Sequence, residues 1–149
     1  MSFEERNAVV AILSSIIAWG LMIAVLGQNT YAGGYDGAAG AQAWARTVLW
    51  LILISIAIMI AATILFNIGY ALLTGDRNLS AHADERDKGI ALRGMRAAQV
   101  VMGAGIVLAI VYLAFGGAMV MFLNLLLAVC ALGNLASEVV KLYHYRRGF

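Results

Sequence analysis

Four long apolar stretches constrain this chain more than any other feature of its sequence. They cover about residues 8–26, 48–73, 97–115 and 119–140, and each contains at most one charged residue. An α-helix rises ~1.5 Å per residue, so about 20 apolar residues cross the ~30 Å hydrocarbon core of a bilayer. Each stretch is therefore predicted to be a transmembrane helix.

The composition of the chain supports a membrane-embedded fold. Of its 149 residues, 63% are hydrophobic and 12% are charged, whereas soluble domains average about 25% charged residues. A soluble fold of this size could not hide so much apolar surface, so the lipid bilayer must cover part of it. We predict one all-α transmembrane domain over residues 1–149, an integral membrane four-helix bundle of two helical hairpins.

The first apolar stretch is interpreted as a retained helix and not as a signal peptide. A signal peptide has an apolar core of about 7–15 residues that follows a positively charged segment. Here the stretch is longer and follows Glu4, Glu5 and Arg6, which are net negative. We therefore expect all four spans in the folded protein.

The distribution of lysine and arginine predicts the orientation of the four spans. The N-terminal tail, the loop 74–96 and the C-terminal tail lie on one side, and they hold nine of the ten basic residues. Only Arg46 lies on the other side. By the positive-inside rule, both termini and the loop 74–96 are cytoplasmic (N-in/C-in). We expect a multi-pass protein of the cell (inner) membrane.

The cytoplasmic loop 74–96 carries the densest charge. Asp84 precedes Lys88 by four residues, a spacing that favours a helix. A helix would place Arg86, Arg93 and Arg96 on one arc, where they would face anionic headgroups. Two interpretations remain open: a juxtamembrane helix that sets the topology, or a docking surface for a cytoplasmic regulatory protein. The candidate docking residues are Asp84, Glu85, Arg86, Asp87, Lys88 and Arg93.

The same loop carries a resemblance to a known family. The run Asp84-Glu85-Arg86-Asp87, followed by Ile90 and Arg93-Gly94, resembles the signature of an uncharacterised family of small four-helix membrane proteins of bacteria and archaea. The opening residues 3–8 and the ending residues 145–148 resemble that family too, although members often have tryptophan where Val9 stands here. The resemblance implies no activity. Genes of the family often lie beside a small helix-turn-helix regulator, which implies a regulatory pairing.

Polar residues inside the spans form a second pattern. Asn67 and Asn134 each lie six residues before the end of a span, and Ser14 lies six residues into the first. Because these spans alternate in direction, all three residues lie ~9 Å below the cytoplasmic boundary. We predict an intramembrane polar layer there, with Gly103 leaving room and Glu138 about one turn nearer the cytoplasm. The members of the layer are Ser14, Ser15, Asn67, Asn134 and Glu138.

Two interpretations of this layer are open. Its hydrogen bonds could fix the register of the helices, each contributing about 0.6 kcal/mol. The layer could instead line a cavity for an ion, a proton or a small ligand, since a carboxylate within a span indicates a functional site. For Glu138, an ion pair with Lys141 three residues later is enough to explain its position.

The sequence lacks the residues that several classes of function require. The spans contain no histidine for haem, no phosphate-binding G-x-x-x-x-G-K-[ST] motif occurs, and Cys130 is the single cysteine. We expect no enzyme, no metal, no cofactor and no direct nucleic-acid binding. The leading hypothesis is a non-enzymatic regulatory or accessory membrane protein that docks a cytoplasmic partner. The alternative is a small transporter or channel that works as a homo-oligomer and uses the polar layer.

Overall fold

The prediction of an all-α bundle is confirmed. The computed structural model describes residues 3–37, 39–74 and 85–147. These residues form four α-helices: α1 (Phe3–Tyr31), α2 (Gly40–Thr74), α3 (Glu85–Ala114) and α4 (Met119–Arg147). All four are long and apolar enough to cross a membrane.

The helices are longer than the predicted spans. They contain 29, 35, 30 and 29 residues, which corresponds to lengths of about 44 to 52 Å. The predicted loop between the first two spans, residues 27–46, shortens to residues 32–39, and the predicted loop 74–96 is helical from Glu85 onward. Hydropathy marks only the part of a helix that lies in lipid, whereas the helix itself continues into polar surroundings. Asp84 lies outside the described residues.

Two glycine-capped turns close the two hairpins. After α1, the amide of Gly34 bonds the carbonyl of Asn29, and Gly33 has a φ of +73°. After α3, the amide of Gly117 bonds the carbonyl of Tyr112, and Gly116 has a φ of +86°. Each pattern is a Schellman motif, which places glycine in the left-handed conformation just past the helix. Gly116 and Gly117 thus lie in the short turn between the third and fourth predicted spans.

The helices pack in the order α2, α1, α4, α3. The interface between α3 and α4 is the most extensive, α1 packs against both α2 and α4, and α2 has a smaller contact with α4. Among the described residues, α2 and α3 form no extensive interface. We call the end with the two hairpin turns the turn end, and the opposite end the charged end. The bundle is therefore open along the gap between α2 and α3.

Glycines bring α3 and α4 close together. A Cβ added at Gly94 would lie 2.9 Å from the carbonyl oxygen of Ser137, and one at Gly105 would collide with the side chain of Val129. From α4, Gly133 packs in the same way against Met102. Small residues allow such close approach in membrane helices.

Gly103 does not leave room inside the bundle as predicted. It is exposed, and a Cβ added there would meet no atom within 4 Å. Gly105, two residues later, is the one that contacts α4. Because two residues turn a helix by about 200°, Gly103 lies on the opposite side of α3, facing away from α4.

Candidate functional site

The charged end carries the polar ends of α3 and α4, which lie beside the first turns of α1. At about 45 and 44 Å, α3 and α4, like α1 and α2, exceed the ~30 Å hydrocarbon core by roughly ten residues or more. The excess contains the charged residues 85–96 of α3 and 141–147 of α4. We call these two segments together the helical platform. The described charges of the predicted loop 74–96, for which the sequence favours a helix, and those of the C-terminal tail therefore lie on two regular, adjacent helices.

Contacts between the two segments hold the platform together. Gly94 lies so close to α4 that an added Cβ would be 2.9 Å from Cγ of Lys141. Nη1 of Arg93, the residue before Gly94, lies 3.3 Å from Nδ1 of His144, three residues after Lys141. On α4, the guanidinium of Arg147 stacks 4.7 Å from the ring centroid of Tyr143. The platform is thus an ordered surface, with its two helices in fixed register.

Most of the predicted docking residues are on the outside of the platform. Glu85, Arg86, Lys88 and Arg93 are exposed, whereas Asp87 is half-buried. Lys88 donates a 2.7 Å hydrogen bond to the carboxylate of Glu85, three residues earlier, and forms an exposed ion pair with it. Such pairs contribute little to stability, so the charges remain accessible to a partner.

Glu138 is paired with Lys141, as its sequence position indicates. Nζ of Lys141 lies 2.6 Å from Oε1 of Glu138, with the side chains 28% and 18% exposed. Both residues line a cavity of about 320 Å³ between α1, α3 and α4, beside Asp87 and Lys88. Glu138 therefore belongs to the charged end and does not join the polar residues deeper in the bundle.

Three of the predicted polar-layer residues line one cavity. Ser14 and Ser15 of α1 and Asn134 of α4 surround a space of about 400 Å³, which we call the intramembrane cavity. Ser55 of α2 and Cys130 of α4 also line it, together with apolar side chains such as Met59. The structure thus brings polar groups of α1, α2 and α4 to one cavity, in which Ser14 is buried, Ser15 and Ser55 are half-buried and Asn134 is exposed.

Some polar side chains of this cavity have hydrogen-bond partners, and others have none among the described residues. The hydroxyl of Ser14, which is 2% exposed, donates to the carbonyl of Val10 at 2.7 Å. The hydroxyl of Ser55 donates to the carbonyl of Leu51 at 2.7 Å. In contrast, no hydrogen bond joins the side chain of Asn134 to another described residue. A carboxamide that can donate and accept therefore stands unpaired at the cavity.

Asn67 is not part of the cavity lining. It lies twelve residues after Ser55 on α2, which corresponds to about 18 Å along the helix axis. Its Nδ2 donates to the carbonyl of Thr63 at 2.8 Å, and its buried Oδ1 accepts no hydrogen bond from the described residues. Equal distances from the ends of the predicted spans would place Asn67 beside Asn134. In the structure Ser55, which lies nearer the middle of α2, lines the cavity instead.

A polar network at the turn end was not predicted. Nε1 of Trp44 donates to Oδ1 of Asn124 at 2.8 Å, and Nδ2 of Asn124 lies 3.4 Å from Oγ1 of Thr30. The network joins α2, α4 and α1 beside an apolar cluster that includes Leu26 and Tyr35. Asn124 lies on the same face of its span as Asn134, and this was the available signal. The sequence contains no comparable signal for Trp44, because a tryptophan that flanks a predicted span is usually assigned to the headgroup region.

The residues that the structure describes hold no group of three or more histidine, cysteine, aspartate or glutamate side chains that could bind a metal ion. Comparisons with protein-family models, with curated proteins and with solved structures find no match to this chain. The family resemblance of the loop motif therefore stays a prediction.

Proposed function

We propose that the protein is a non-enzymatic regulatory or accessory membrane protein that docks a cytoplasmic partner through the helical platform. The observation that carries this proposal is the platform itself, in which residues 85–96 and 141–147 extend beyond the length needed to cross a bilayer. A connection that served only to reverse the chain would need no paired helices of this length. The function rests on surface charge, with no catalytic group involved.

The charge pattern of the platform, with seven basic and two acidic residues, favours a protein partner whose surface is mainly acidic, with a basic group opposite the acidic residues of α3. Exposed Glu85 and Lys88 lie on α3, and exposed Arg146 and Arg147 lie at the end of α4. Electrostatic complementarity at such a surface sets specificity and association rate more than affinity. We therefore expect an interaction that weakens as the salt concentration rises.

The proposal includes the location and orientation of the protein. The lysine and arginine asymmetry supports a multi-pass protein of the inner membrane with both termini on the cytoplasmic side. In that orientation the platform faces the cytoplasm, where a soluble regulator has access to it.

Affinity purification from native membranes in mild detergent, followed by mass spectrometry, tests the docking function. We expect a recurring cytoplasmic protein that is lost when Asp84, Glu85 and Asp87 are changed to alanine. The matched control changes Asp36 and Arg46, exposed charged residues near the turn end, to alanine and should retain the partner. An unchanged set of partners in the first variant, with the protein still inserted in the membrane, would refute the proposal.

A second candidate function is a small transporter or channel formed by a homo-oligomer. The intramembrane cavity favours it, because Ser14, Ser15 and Asn134 are polar groups within the apolar spans. Four helices alone leave little space for a path across the membrane, so several copies would be required. Flux of small ions and solutes into liposomes should then fall in an Asn134→Ala variant, while a Gln99→Ala variant on the exposed surface of α3 keeps the native rate.

A further inference from the structure

The intramembrane cavity is accessible from the side of the bundle. Its described lining comes from α1, α2 and α4, and α3 contributes no lining residue. Both α2 and α4 line the cavity and border the gap in which α2 and α3 form no extensive interface, and Asn134 of the lining is exposed. In a bilayer, this gap opens onto the acyl chains, so a molecule dissolved in the membrane has access to the cavity.

The lining selects for an uncharged ligand. It contains no acidic residue, no basic residue and no histidine. A charged group would be costly there, because nothing in the lining would pair with it. The volume of about 400 Å³ lies within the ~300–1,000 Å³ range of small-molecule sites, which are mostly apolar with a few polar groups. Both the volume and the lining fit an amphiphile with a small, neutral head.

The polar groups of the cavity define the head of this ligand. The Asn134 amide has a free N–H donor and a free carbonyl acceptor among the described residues. The hydroxyls of Ser14 and Ser55 donate to backbone carbonyls, so only their oxygen lone pairs remain available. An amide that faces acyl chains without a hydrogen-bond partner is unfavourable. A ligand with one carbonyl, to accept from the Asn134 N–H, and one hydroxyl, to donate to the Asn134 carbonyl oxygen, would pair both functions of the amide.

We propose that the intramembrane cavity binds the head of a neutral lipid of the diacylglycerol class, which enters between α2 and α3 and hydrogen-bonds to Asn134. Diacylglycerol carries ester carbonyls and one hydroxyl on an uncharged head, and its acyl chains remain in the bilayer. A second copy of the chain packed over the opening would leave the cavity unfilled, because a helix with its side chains is ~10 Å across. This inference concerns binding and is independent of partner docking at the platform.

The single cysteine of the chain gives a direct test. Cys130 lines the cavity one helical turn from Asn134, so a ligand seated there shields its thiol. The purified full-length protein is reconstituted in dioleoylphosphatidylcholine vesicles, and the rate of reaction of Cys130 with N-ethylmaleimide is measured with and without dioleoylglycerol. We expect dioleoylglycerol to slow the reaction at least threefold. Phosphatidic acid with the same chains but a charged head should slow it much less.

Two variants test whether the protection of Cys130 by dioleoylglycerol arises from binding in the cavity. Within the Asn134→Ala variant, dioleoylglycerol should no longer change the reaction rate, whereas the Gln99→Ala variant should keep native protection. An unchanged rate in the native protein, or equal protection in Asn134→Ala, would overturn the proposal. Protection that follows the protein-to-lipid ratio and not the added dioleoylglycerol would also overturn it, because a second copy of the chain would then be shielding Cys130.

A second measurement decides the question if Cys130 does not react in plain vesicles. A diacylglycerol with a diazirine near its head is photolysed in the same vesicles, and the modified residues are identified by mass spectrometry. Adducts concentrated on the lining of the cavity, and reduced in Asn134→Ala, would support the proposal. Adducts spread over the lipid-exposed surface, or equal in both proteins, would refute it.

Discussion

The indole Nε1 of Trp44 donates a 2.8 Å hydrogen bond to Oδ1 of Asn124 and so joins α2 to α4. This bond lies at the turn end, where the smaller contact between α2 and α4 supplements the packing of both helices against α1. Because α2 has no extensive interface with α3 among the described residues, few interactions fix its position. The Trp44–Asn124 pair is therefore expected to hold α2 in place over the intramembrane cavity.

Replacing Trp44 with phenylalanine should destabilise the fold by about 1 kcal/mol, close to the value of an interhelical hydrogen bond in a membrane. The phenyl ring keeps most of the apolar contact but leaves Asn124 without its donor. The free energy of unfolding is measured by titration with sodium dodecyl sulfate in mixed micelles. Trp50→Phe is the matched control, because Trp50 is 68% exposed on the same helix. Equal losses in the two variants would show that the bond contributes nothing.

Replacing Gly105 with alanine should destabilise the hairpin of α3 and α4 by about 1–3 kcal/mol, as overpacking does in a tight interface. The added methyl group would collide with Val129. Gly103 is the control, since alanine there meets no atom within 4 Å and favours the helix by up to about 1 kcal/mol. The same unfolding titration measures both variants. The close-packing interpretation fails if Gly105→Ala is as stable as Gly103→Ala.

The sequence was sufficient to predict the number of helices and their up-down order. Spans of nineteen or more residues without charge have one stable solution in lipid, because a helix satisfies its own backbone hydrogen bonds. The ion pair of Glu138 and Lys141 was also predictable, since residues three apart on a helix are neighbours. These features depend on local spacing and on hydropathy, which a single sequence contains.

Relations between helices were harder to predict. Equal distances from the span ends placed Asn67 beside Asn134, but the helices differ in length and α2 exceeds the others, so Ser55 takes that place instead. Gly103 and Gly105 are equally small, and only the rotation of α3 about its axis decides which one contacts α4. Rotation and axial shift are set by side-chain packing across the interface, and neither is fixed by the hydropathy pattern.

Removing one member of the Glu138–Lys141 pair should cost more than removing both. Glu138→Gln leaves a partly buried ammonium without its partner, and we expect a loss of about 1–2 kcal/mol, which is less than for a fully buried pair. A double-mutant cycle with Lys141→Met measures the coupling free energy between the two side chains. The exposed pair of Glu85 and Lys88 is the matched control, with an expected coupling of about 0.5 kcal/mol or less. Equal coupling in both cycles would contradict the effect assigned to burial.

The orientation of the bundle should depend on the balance of basic residues between its charged end and its turn end. Fused after residue 149, alkaline phosphatase should be inactive and green fluorescent protein fluorescent, whereas phosphatase inserted in the turn 32–39 should be active. This expectation follows because nine of the ten basic residues lie in segments on the side of the termini, and the positive-inside rule predicts that such a side stays in the cytoplasm. Changing Arg86, Lys88, Arg93 and Arg96 to alanine while adding four lysines to the turn should raise the phosphatase activity of the C-terminal fusion. The same four alanines without the added lysines are the control and should keep the native orientation, because five basic residues still oppose one.

High phosphatase activity in the unmodified C-terminal fusion would contradict the predicted orientation. It would place the platform outside the cytoplasm and so exclude the proposed docking function.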